Sequence, residues 1–125
     1  MMMSDVRAAV VAGHGSVAAG HCSAVTRIVG PQHALVAVSN EGGSPDEIRA
    51  ALEAALDASG ATVLFTDLPS GSCTMAARRI ARARPGLVVV TGVSLPVLLA
   101  FVTGSDVAAA VRAGHGALAI VEGGA

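Results

Sequence analysis

Tryptophan and tyrosine do not occur in the 125-residue chain, and phenylalanine occurs only at Phe65 and Phe101. That excludes an aromatic platform for stacking nucleic-acid bases and argues against an aromatic-lined sugar site. Lysine is also missing. All eight basic residues are arginine, set against nine acidic ones, for a formal net charge of -1. Neither a basic footprint for nucleic acid nor a polybasic patch for anionic lipid follows from such a balance. Charged residues make up only 14% and hydrophobic residues 53%, which is not the composition of a disordered chain. Uninterrupted apolar runs of membrane-spanning length are absent too. The richest stretch, 87–102, is broken by Thr91, Gly92, Ser94 and Pro96 and falls short of the ~20 residues a spanning helix needs. Cys22 and Cys73 have no metal or redox spacing, and two thiols make no disulfide framework. The start, Met1-Met2-Met3-Ser4-Asp5, lacks the basic region of a signal peptide. The expectation is a soluble cytoplasmic protein forming one domain over residues 1–125. A chain of this length hides roughly two-thirds of its unfolded surface, enough for a core without disulfides or metal.

What the sequence does contain is rhythm. Five short apolar runs, 8–12, 34–38, 61–66, 87–91 and 117–121, alternate with helical patterns. They are nearly continuous in Val, Leu, Ile and Ala, as strands covered on both faces by helices are. A βαβα order implies a mostly parallel sheet, here of four to five strands, in an α/β fold. The second helix is the most explicit. Ser44 is a good N-cap, Pro45 suits the first helical position, and Glu47 completes a capping box. Ile48, Leu52 and Leu56 then form one apolar stripe, and Gly60 supplies a left-handed stop. A first helix is predicted over 16–28, a third from Ser72 to before Pro85-Gly86, and two shorter ones over 94–102 and 106–113. The run 117–121 is predicted as the last strand, with His115 in the turn before it.

In an open parallel sheet, ligands meet the loops beyond the carboxyl ends of the strands. Strand one ends in Gly13-His14-Gly15, strand two in Ser39-Asn40-Glu41-Gly42-Gly43, strand three in Thr66-Asp67-Leu68-Pro69-Ser70-Gly71-Ser72, and strand four in Thr91-Gly92-Val93-Ser94. His14 and Asp67 therefore share one edge. If strands one and three are neighbours, about 5 Å apart, the carboxylate can bind the imidazole. A carboxylate on Nδ1–H fixes the tautomer and leaves Nε2 as a nucleophile. Ser70-Gly71-Ser72 opens the third helix, whose free N–H groups suit an anion such as phosphate. Nucleophile, orienting acid and anion seat are the parts of phosphoryl transfer through a phosphohistidine. Two other readings stand beside it. Cys73, in a first helical turn where a thiol pKa can fall, could complete a Cys-His-Asp arrangement with His14 and Asp67. His14, His21 and Asp67 could be metal ligands, although no paired ligand spacing supports that. His33 and His115 receive no role, and His21 and Cys22 read as structural.

The order of these segments resembles the IIA component of the mannose-type (mannose–fructose–sorbose, including N-acetylgalactosamine) bacterial sugar phosphotransferase system. The resemblance covers nearly the whole chain. An apolar strand runs into Gly-His-Gly at 13–15, and Glu41-Gly42-Gly43-Ser44 precedes the second helix. Thr66-Asp67 leads through Ser70-Gly71-Ser72 into Ala76-Ala77-Arg78-Arg79-Ile80. The segment Gly92-Val93-Ser94-Leu95-Pro96-Val97-Leu98-Leu99 is similar to the family's GVNLPMLLE. The resemblance implies a three-layer α/β/α sandwich and a phosphotransferase component that needs neither metal nor cofactor. It implies that His14 takes a phosphoryl group from the phosphocarrier HPr and passes it to a IIB component, with membrane IIC and IID partners moving the sugar. Asp67 matches the acid on the active imidazole, and Gly71 and Ser72 match the phosphoryl-binding turn. Members are homodimers that can exchange a C-terminal strand. No fused IIB domain follows, which reads as a stand-alone subunit. The family's Gly-Gly-Ser-Pro is replaced by Ser70-Gly71-Ser72-Cys73, so Ser70 stands where glycine is usual and the helix-starting proline is lost. A phosphocarrier subunit of a dihydroxyacetone kinase is the alternative within this chemistry, although it usually has Ser beside the reactive His. A regulatory sensor that does not pass the group on is the alternative from another class.

Overall fold

The computed structural model describes residues 7–124. Four strands, β1 (Ala8–Gly13), β2 (Ala34–Ser39), β3 (Val63–Thr66) and β4 (Val88–Val90), form one parallel sheet in the order β2-β1-β3-β4. Five helices accompany them: α1 (Val17–Val29), α2 (Pro45–Ser59), α3 (Ser72–Ala83), α4 (Leu95–Val102) and α5 (Val107–Ala117). Side chains of successive strand residues point to opposite faces, and two cores result. Val10, Ala12 and Leu64 pack with Ile48, Leu52 and Leu56 of α2 and with Cys73, Ala77 and Ile80 of α3. Ala9, Val11, Val63 and Phe65 pack with α1, α4 and α5 on the other face. This is the three-layer α/β/α sandwich with a parallel sheet.

The two phenylalanines are spent on packing. Phe65 and Phe101 meet edge to face, centroids 5.3 Å apart, inside the second core, a contact worth about 0.5–1.5 kcal/mol beyond area burial. The capping box of α2 forms in both directions: Glu47 N–H donates to Ser44 Oγ and Ser44 N–H to Glu47 Oε1. The Ser44 main-chain N–H, and after it the Ser44 hydroxyl, hold the Glu47 carboxyl below its ordinary pKa. Gly60 ends the helix in the left-handed conformation, φ 69°.

The predicted fifth strand is corrected. Helix α5 continues through Gly114-His115-Gly116 to Ala117, and among the described residues 118–122 pair with no strand. Gly114 misled because its role is packing. A Cβ on Gly114 would lie 2.2 Å from Val97 Cγ2 of α4, so Gly114 admits a close helix–helix approach rather than a turn. The run itself has strand-forming residues, but among the described residues it pairs with neither edge of the chain's own sheet. Leu118, Ile120 and Val121 stand 88–90% exposed. His115 accordingly lies in the last turn of α5.

Candidate functional site

The strand order places the site. From β1 the chain moves outward to β2, then crosses back to β3 on the other side of β1. The carboxyl ends of β1 and β3 flank this reversal, where ligands of open α/β sheets bind. The register pairs Ala12 with Thr66, so His14 and Asp67 emerge side by side.

Oδ2 of Asp67 accepts two hydrogen bonds from His14: one from its main-chain N–H at 2.9 Å, one from ring Nδ1 at 2.8 Å. A carboxylate only accepts, so the network puts the imidazole proton on Nδ1 and leaves the Nε2 lone pair free. Partial burial by itself would raise the Asp67 pKa. The His14 main-chain N–H, the ring hydrogen bond and the attraction of the ring together outweigh it and hold the carboxyl below its ordinary value. The His14 side chain is 48% exposed and that of Asp67 14%: the nucleophile is open to an entering molecule while its orienting acid is sheltered. Gly13 has no room for a side chain, since a Cβ there would sit 2.4 Å from Val17 Cγ1 and 3.0 Å from Asp67 Oδ2.

The first turn of α3 closes the site. Gly71 has φ 119°, ψ 173°, a region essentially reserved for glycine, and a Cβ on it would meet His14 Cε1 at 3.2 Å and Nε2 at 3.8 Å. The N-terminus of α3 thus lies against the free edge of the ring, with its unpaired N–H groups and positive dipole end. No non-glycine residue among those described has a positive φ, so Ser70 takes over none of the strain glycine would carry, and α3 starts at Ser72 without a proline. The turn is braced from below. The buried Thr74 Oγ1 lies 2.7 Å from Thr66 Oγ1 and 2.6 Å from the Leu68 carbonyl, which ties the end of β3, the loop and α3 together.

Ser72 Oγ accepts from Asn40 Nδ2 at 3.1 Å, while Asn40 Oδ1 accepts from Gly15 N–H at 3.3 Å. Sequence reasoning gave Asn40 no role. Its place at the end of β2, on the same sheet edge, was the available signal. The thiol reading fails: Cys73 is fully buried in the core, and burial, then the Asp67 charge, push its pKa up, the reverse of an activated thiolate. Nor do His14, His21 and Asp67 converge as ligands; among the described residues no three His, Cys, Asp or Glu side chains do. His33 is bound structurally, its Nδ1 accepting from Leu35 N–H and its Nε2 2.7 Å from Thr26 Oγ1.

The sequence matches the EIIA-man family, described as PTS system fructose IIA component, over residues 8–117. The chain belongs to this family. The EIIA-man fold is also seen in solved structures. The mannose/sorbose-specific IIA subunit of the phosphotransferase system from Enterococcus faecalis superposes with TM-score 0.80 at 22% identity, covering 94% of this chain and 96% of that one. Component EIIA from Streptococcus agalactiae gives 0.80 at 19%, covering 92% and 97%. The IIA protein associated with the fucose utilization operon of Streptococcus pneumoniae gives 0.78 at 20%, covering 92% and 93%. No curated protein matches the sequence. As an EIIA-man protein the chain is a component of a sugar phosphotransferase system, of the mannose type. No helix among the described residues is long and apolar enough to cross a membrane.

Proposed function

We propose that the chain is a phosphohistidine carrier in the cytoplasm, in which His14 receives a phosphoryl group from HPr and gives it to a IIB component. The observation that carries the reading is the 2.8 Å Nδ1–Oδ2 hydrogen bond on a half-exposed imidazole. In the forward step the Nε2 lone pair attacks phosphorus. The P–N bond of the donor breaks as the new one forms, and its electron pair returns to the donor nitrogen. The Nδ1 proton stays in its hydrogen bond to Asp67, whose negative charge stabilises the phosphorylated, cationic ring. Gly71 and Ser72 supply main-chain N–H groups, and Ser72 its hydroxyl, to the phosphoryl oxygens. Catalysis of this kind is positioning and charge stabilisation. The IIB step is the same exchange in reverse, with IIB as acceptor and IIC and IID as membrane partners. One domain spanning 1–125 carries this chemistry, and it works as a homodimer.

The test is labelling. Incubation with enzyme I, HPr and labelled phosphoenolpyruvate should put acid-labile, base-stable label on His14. His14→Ala should abolish it and Cys73→Ala should not; label that survives His14→Ala ends the proposal. Chasing with IIB and sugar then separates a carrier, which loses the label, from a sensor, which keeps it. Transfer only to a dihydroxyacetone kinase would assign the alternative partner.

A further inference from the structure

Asn40 joins the two halves of the site. Its main-chain N–H donates to the Gly13 carbonyl at 3.1 Å, which fixes the residue beside the end of β1. Its side chain then reaches both the His14 loop and α3, through Gly15 N–H and Ser72 Oγ. The Gly15 N–H can only donate, so the amide atom facing it is the oxygen and the NH2 group faces Ser72. A serine hydroxyl has one proton and two lone pairs. Because Asn40 donates to Ser72, it occupies a lone pair and does not consume the proton.

We infer that Asn40 is a positioning residue for phosphoryl capture: its amide holds Ser72 as an acceptor, so that the hydroxyl proton is presented to the phosphoryl group on His14. The inference rests on the carrier reading and deepens it. Asparagine is required by this role in a way that shape does not explain. Aspartate is nearly isosteric and would keep the Gly15 contact. It can only accept, however, so it would take the Ser72 proton and place a negative charge beside an incoming anion.

The experiment is single-turnover phosphorylation of the full chain, with phospho-HPr and, separately, potassium phosphoramidate as a donor without a protein surface. Asn40→Ala and Ser72→Ala should each slow labelling of His14 about tenfold, the size of a lost hydrogen bond to a charged group. The double variant should be no slower than Ser72→Ala alone, because residues acting through one contact are not additive. Asn40→Asp should be slower than Asn40→Ala at pH 7, and the ratio of the two rates should recover as pH falls through the carboxylate range. A merely structural asparagine predicts the opposite order, with Asn40→Asp close to the unmodified protein. Should Asn40→Ala melt early, Asn40→Asp still decides. Additive losses, or an Asn40→Asp rate equal to that of the unmodified protein, overturn the inference and leave the carrier reading standing. No label on His14 from either donor overturns both.

Discussion

One carboxylate oxygen accepting two hydrogen bonds from the same residue is a stiff arrangement. The main-chain bond positions the loop and the ring bond orients the imidazole, so His14 cannot turn its ring without breaking contact with an anchor it already has. Asp67→Asn removes the charge and keeps the shape. It should slow phosphoryl transfer about 10- to 100-fold, the range of a charge-assisted hydrogen bond, with the fold intact; an unaltered rate would remove Asp67 from the mechanism. The pH dependence has a definite sign. The Asp67 pKa is lowered in the folded protein, so its contribution to stability is complete above the unfolded value, about 3.9, and is lost as pH falls through the lower folded value. Nuclear magnetic resonance of the Asp67 carboxyl should therefore show it titrating below an ordinary aspartate; titration at or above 3.9 would contradict the geometry. His14 and Asp67 were legible in the sequence because strand ends and chain order put them on one edge. Asn40 was not, since its partners, Gly15 and Ser72, lie on two other segments and only the strand order brings the three together. Cys73 misled for a related reason. First-turn position says nothing about which way a side chain points, and this one points into the core.

Helix α3 has to start in the right place for Gly71 to lie against the ring, and the elements around it explain how it does. Thr66 ends a fully buried strand, Thr74 lies in the first turn of the helix, and their hydroxyls and the Leu68 carbonyl form one closed hydrogen-bonded group. Thr74→Val keeps the shape and leaves the Leu68 carbonyl only the long contact with Thr66 Oγ1, at 3.5 Å. It should lower stability by about 1–3 kcal/mol and loosen the turn, so that chemical denaturation and the His14 labelling rate fall together. A stability equal to that of the unmodified protein would show that the carbonyl finds another donor. Among the elements, α2 was readable almost to the residue because its signals are local: an N-cap, a proline, a reciprocal glutamate and a left-handed glycine. The fifth strand was not, because a strand needs an edge that sequence periodicity does not report, and because Gly114 looks like a turn until Val97 of α4 is placed against it.

Three large apolar side chains almost wholly in water, directly after α5, are a liability for a chain acting alone. The sheet has a matching deficit. β4 is a short edge strand with Val88 exposed, and a cavity of about 420 Å³ lies beside it between Val90, Thr91, Gly92, Val97 and Val111. A segment that cannot pair at home can pair on a second copy, and a two-fold exchange would satisfy both edges at once. Burying Leu118, Ile120 and Val121 contributes roughly 2 kcal/mol each, doubled by symmetry, which is of the order of the cost of association. On the homodimer proposal, a chain ending at Ala117 should keep its fold, because among the described residues 118–124 make no strand pairing within it. It should sediment as a monomer where the full chain sediments as a dimer, and Ile120→Glu should shift the same equilibrium by an added charge. Equal sedimentation of full and shortened chains would assign the apolar tail to some other partner. His14 lies at the β1–β3 junction, with β3 between it and the β4 edge. Label accepted from phosphoramidate should therefore survive the truncation, whereas any loss confined to phospho-HPr would mean that the second copy forms part of the surface on which the donor protein docks.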